Sequence, residues 1–121
     1  MMKFVKSFRH AADGIRSAAS TERNFRIELV LAAGAFALSW VLPLSVTERA
    51  MVFLTIGVIL ALELLNTAFE QLTDMLSPQF HEKVKTIKDL AAGAVLLSSF
   101  GAALVGLVVF IPHIVTLFSG S

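Results

Sequence analysis

The 121-residue sequence contains no cysteine, which excludes disulfides and thiolate metal sites. It has no GxxxxGK[ST] loop and no GxGxxG loop, so any nucleotide site follows neither the P-loop nor the protein-kinase design. There are no internal repeats and no low-complexity tracts. The basic start, Met1 to Arg26, lacks the uninterrupted apolar core of a cleavable signal. Charge is also scarce. Only 16% of the residues are Asp, Glu, Lys or Arg, and the formal net charge is +1, which by itself says nothing about nucleic acid; no nucleic-acid partner is expected.

Apolar surface is abundant instead. The chain is 56% hydrophobic with a mean hydropathy of +0.80, more than a soluble domain of this size can bury. The length fits one domain, residues 1–121. The expected fold is an all-α membrane protein, with a surface helix followed by three membrane helices. Residues 1–20 place Phe4, Val5, Phe8, Ala12 and Ile15 near helical spacing among Lys3, Lys6, Arg9, His10, Asp13 and Arg16. That pattern fits a basic amphipathic helix on a membrane surface, weakened locally by Gly14, or a helix docked on the rest of the protein. Ser20 or Thr21 is expected to cap the next helix, with Glu22 in its first turn. The membrane helices are expected at 27–46, 50–76 and 83–118. Ala32–Ala37 and Ala91–Ala94 offer small residues for close packing. Pro43 marks one turn and Ser77 to His81, with Pro78, the other. Pro112 is expected to kink the last helix or mark its exit from the membrane. Six Lys and Arg precede the first span, one follows it, and three lie between the second and third. This asymmetry places the N-terminus and the second connection in the cytoplasm and the C-terminus outside.

The chemistry gathers on Glu63-Leu-Leu-Asn66-Thr-Ala-Phe-Glu70-Gln-Leu-Thr-Asp74. At 3.6 residues per turn, Glu63, Asn66, Glu70 and Asp74 fall within an arc of about 80°. Glu63 lies about 20 Å along the helix from Ala50 and therefore at membrane depth, where carboxylates are costly and mark function. A packing role for Glu63, protonated or paired, stands against this. Asp74, near the helix end, suits a solvated or capping role as well as a functional one. Glu22, Arg26 and Glu28 enter the first span at the same membrane face, and Lys88 and Asp89 open the third. Carboxylates, an amide and a lysine at an interface suit a divalent cation and phosphate groups. On the residues alone, an ion- or proton-coupled transporter and a structural membrane subunit also remain. Consumption of ATP that depends on added lipid alcohol separates a kinase from both.

Glu22-Arg-Asn-Phe-Arg-Ile-Glu28, Glu63-Leu-Leu-Asn-Thr-Ala-Phe-Glu70, His81 and Lys88-Asp-Leu-Ala-Ala-Gly-Ala94 resemble the prokaryotic diacylglycerol kinase and undecaprenol kinase family over nearly the whole chain. The resemblance implies a homotrimer in the bacterial inner membrane, with each active site at a subunit boundary. It also implies transfer of the ATP γ-phosphate, with Mg²⁺, to a membrane lipid alcohol. By matching position, it implies that Glu63 is the base and that Glu22 and Glu70 bind the metal. Lys3, His10, Glu22, Asn66, Glu70, Gln79, Phe80, His81, Lys88 and Asp89 are implied to contact ATP. Arg26, Glu28, Arg49 and Glu63 are implied to contact the lipid. The chain departs from the best-known diacylglycerol kinase pattern at His10, where that pattern has tyrosine, at Lys3, where it has arginine, and at Ala92, where it has serine. The spellings TERNFRIEL, ELLNTA and KDLAAGAV are closer to the undecaprenol kinase branch, with diacylglycerol as the alternative substrate.

Overall fold

A computed structural model describes residues 1–77 and 79–120. Four helices follow one another: α1 (Met2–Thr21), α2 (Arg23–Val41), α3 (Val46–Leu76) and α4 (His81–Ser119). The last three are each long and apolar enough to cross a membrane. Multi-pass membrane insertion follows from their length and composition.

Each break has a local cause. Glu22 is extended, at φ −108° and ψ 113°, and its N–H closes α1 on the carbonyl of Ala18. Ser20 and Thr21 do not cap α2. Their hydroxyls donate back to the carbonyl of Ser17, a bond that helical Ser and Thr form readily within their own turn. Glu22 is thus the N-cap residue of α2 and lies outside its first turn, and it makes no side-chain cap hydrogen bond. α1 runs through Gly14 without interruption. α2 starts four residues before Ile27 and stops at Val41. It stops there because Pro43 forces the preceding Leu42 into extended geometry, at ψ 150°. α3 begins at Val46, earlier than Ala50, on a complete capping box: the Ser45 side chain accepts from the Glu48 N–H, and a Glu48 carboxylate oxygen accepts from the Ser45 N–H. Pro78, expected to break this helix at its other end, lies outside the described residues. α4 continues through Pro112 to Ser119 and closes on left-handed Gly120, at φ 72°.

α3 is the central element. α4 packs along it most extensively, α2 lies on it less so, and α1 touches α2 and α3 at one end. α2 and α4 flank α3 and leave a groove of about 340 Å³ between them, lined by Glu28, Ala32, Ile56, Ile59, Ala103 and Gly106 among others. The buried apolar cluster, Leu42, Leu44, Val52 and Val109, sits at the end where α2 turns into α3. There Arg49 lies over the Trp40 ring at 4.5 Å and donates to the carbonyl of Ser39. His113 Nε2 of α4 stands 3.2 Å from both carboxylate oxygens of Glu48 on α3. At the opposite end Lys88 of α4 meets Asp74 of α3 at 2.6 Å. The antiparallel pair is therefore held in one register along its length, which brings the Ala91–Ala94 run level with Thr67–Glu70. Only 6% of the most apolar stretch of α4 is buried within the chain, so lipid or other copies must cover the rest.

Candidate active site

The carboxylate face of α3 survives intact from sequence to structure. Glu63 is buried, at 6% exposure, and so is Thr67, one turn on. Among the described residues, the Glu63 carboxylate forms no hydrogen bond or ion pair. Three further carboxylates, those of Glu28, Glu70 and Glu22, lie within electrostatic reach of it. They come from three places: Glu28 from the first turns of α2, Glu70 from the last two turns of α3, and Glu22 from the break between α1 and α2. The extended geometry of Glu22 contributes to this gathering, because it separates α1 from α2 beside the buried Ala18 and Phe25. Arg26 reaches back across the break and donates to the carbonyl of Ala19 at 3.0 Å, fixing the angle between the two helices.

Asn66 donates to a carboxylate oxygen of Glu70 at 3.2 Å. This i,i+4 bond directs the amide toward Glu70 and away from Glu63. Glu70 lies seven residues beyond Glu63, about 10 Å along α3, and Asp74 one turn further. Asp74 is neither capping nor simply solvated, since it binds Lys88. Asp89 beside it is taken by Lys85 of the same helix at 2.7 Å. Gln79, Phe80 and His81 form the exposed corner leading into α4. Lys3 and His10 are exposed along α1 and pair with no side chain among the described residues. Arg49 is the one expected site residue held at the far end, 14 residues or about 21 Å along α3 from Glu63.

Among the described residues, no three His, Cys, Asp or Glu side chains come together closely enough to hold a metal ion. The donor set is nonetheless of the hard-oxygen type. Two carboxylates on separate elements suit an ion that shares its shell with phosphates and water, as Mg²⁺ does. Thr67 and Gln71 line a groove between α1 and α3 with Gly14 and Ala18.

A sequence model of the family described as prokaryotic diacylglycerol kinase matches residues 9–110. The chain belongs to the prokaryotic diacylglycerol kinase family. It is similar to the undecaprenol kinase of Bacillus subtilis, at 39% identity over 93% of this chain and 91% of that protein. It is similar to the diacylglycerol kinase of a Synechocystis species, also at 39% identity, covering 92% of this chain and 64% of that protein. The diacylglycerol kinase of Escherichia coli is 24% identical over 92% of this chain. Every carboxylate around Glu63 falls inside the family's matched segment, as do Lys88 and Asp89, whereas Lys3 precedes it.

Proposed function

We propose that this chain is a single-domain membrane kinase that transfers the γ-phosphate of ATP, with Mg²⁺, to the hydroxyl of undecaprenol. What supports the reading is the buried Glu63 on the same face of α3 as Glu70, which Asn66 holds, in a chain of the prokaryotic diacylglycerol kinase family. Glu22 and Glu70 would hold Mg²⁺, with Glu70 steadied by Asn66. When bound, the ion supplies positive charge at the transferring phosphoryl group. Glu63 accepts the hydroxyl proton as the lipid oxygen bonds to the γ-phosphorus and the bond to ADP breaks. Glu28 and Arg26 frame the entry of the lipid. Lys88 meets the phosphates, while Asn66, Asp89, Lys3, His10 and the Gln79–His81 corner surround the rest of the nucleotide. α1 lies on the cytoplasmic surface of the bacterial inner membrane, with the C-terminus outside. Three copies assemble through Ala32–Ala37 and Ala91–Ala94, which would cover the exposed length of α4.

The choice of undecaprenol is supported by the full-length similarity to the Bacillus enzyme. The equal identity to the Synechocystis protein supports diacylglycerol as a second reading. Turnover of ATP in mixed micelles, with the two alcohols at matched mole fraction, separates them. Undecaprenol is expected to be phosphorylated faster, and faster turnover of diacylglycerol would reverse the assignment. A transporter is not favoured, and ATP consumption strictly dependent on lipid alcohol would remove it.

A further inference from the structure

Among the described residues, four ion pairs form, and two of them join different helices: Glu48 with His113, and Asp74 with Lys88. The other two, Asp13 with Arg16 and Lys85 with Asp89, lie within single helices. We propose that Asp74 is a positioning residue of the kinase. It anchors the Lys88 ammonium against the face of α3 that carries Glu70 and Glu63, so that the cation meets the nucleotide phosphates from a fixed position.

This inference rests on the kinase reading above and adds a residue to it. A lysine ammonium is a point charge on a flexible four-carbon stem, and without an anchor its location is poorly defined. The carboxylate next to Lys88 in sequence, Asp89, is occupied by Lys85. Asp74 is the carboxylate that reaches Lys88, from one turn, about 6 Å, beyond Glu70 on the same face. An ammonium has three donors, and this bond uses one, leaving two for phosphate oxygens. The pair contributes little to folding, because the Lys88 and Asp74 side chains are 39% and 65% exposed. An effect on nucleotide use can therefore be separated from an effect on stability.

The test compares the parent, Asp74→Asn, Asp74→Glu, Lys88→Met and the Asp74→Asn/Lys88→Met double variant in micelles, reading KM for MgATP, KM for the lipid alcohol and kcat. Asp74→Asn is expected to raise KM for MgATP about tenfold, the scale of one lost charged hydrogen bond, with the lipid KM unchanged. Asp74→Glu should recover most of the loss. In the Lys88→Met background, Asp74→Asn should add nothing, since Asp74 acts through the lysine. Where Asp74→Asn fails to insert, Asp74→Ser takes its place. A parent that turns over ATP with lipid alcohol, beside an Asp74→Asn variant of unchanged or lowered KM for MgATP, overturns this inference alone. Equal effects of Asp74→Asn with and without Lys88 overturn it as well. A parent with no lipid-dependent turnover overturns the kinase reading and this inference together.

Discussion

Glu63 and Glu70 share a helix face but not an environment, and the proposed mechanism gives them different work. Glu63 is buried, whereas Glu70 is partly exposed and held by Asn66. Glu63→Gln should keep MgATP affinity and lose turnover by about 10² to 10⁴-fold, the usual worth of a general base. Nucleotide affinity and turnover measured on the same preparation check it, and near-parent turnover removes Glu63 from catalysis. Glu70→Gln should instead shift the Mg²⁺ dependence of turnover to higher concentration. A Mg²⁺ titration that overlays the parent's would remove Glu70 from the metal site. At this scale, periodicity alone made the row from Glu63 to Asp74 legible, because helical spacing puts those residues on one face whatever the tertiary structure. The partners were not legible. Asp74 and Lys88 are 14 residues apart across a turn, and no local rule links them. Arg49, at the start of α3, lies about 21 Å along the helix from Glu63.

At the scale of helices, α3 is the best-defined element, and its start shows why boundaries are harder to read than spans. The Ser45-x-x-Glu48 capping box lies just ahead of an apolar run, and hydropathy alone begins the helix at that run. The same glutamate also binds His113, with side chains 31% and 23% exposed, so α3 is capped and tied to α4 by one group. Ser45→Ala should therefore lower stability by about 1 kcal/mol, the usual cost of a lost N-cap, and leave KM for both substrates unchanged. A denaturation midpoint in mild detergent measures the first and steady-state kinetics the second. A change in KM for MgATP would mean that the two ends of the helix pair are coupled.

For the whole molecule, the three apolar stretches were legible, because nothing but a membrane accommodates them at this chain length. The packing order was not. Small residues occur on α2 and α4 alike, and only the structure shows that both lean on α3 with a groove between them. The uncovered length of α4 leads to a prediction about assembly. The mass of active protein in mild detergent should be three times the chain mass of 13.1 kDa, and a monomeric mass with full activity would refute it. Orientation is directly testable because the chain lacks cysteine. In sealed inside-out vesicles, an impermeant maleimide should label Ser7→Cys and spare Ser119→Cys. The reverse pattern would invert the topology.

The 10 Å step from Glu63 up to Glu70 along α3 gives the reaction a direction. A lipid alcohol is neutral and settles at the depth of Glu63 at little cost. Its phosphate ester carries up to two negative charges and is strongly expelled from that depth. Phosphorylation under the proposed mechanism would make the product poorly soluble in the place where it was made. It would rise toward the headgroups and vacate the space for the next alcohol, so the membrane itself would favour product release.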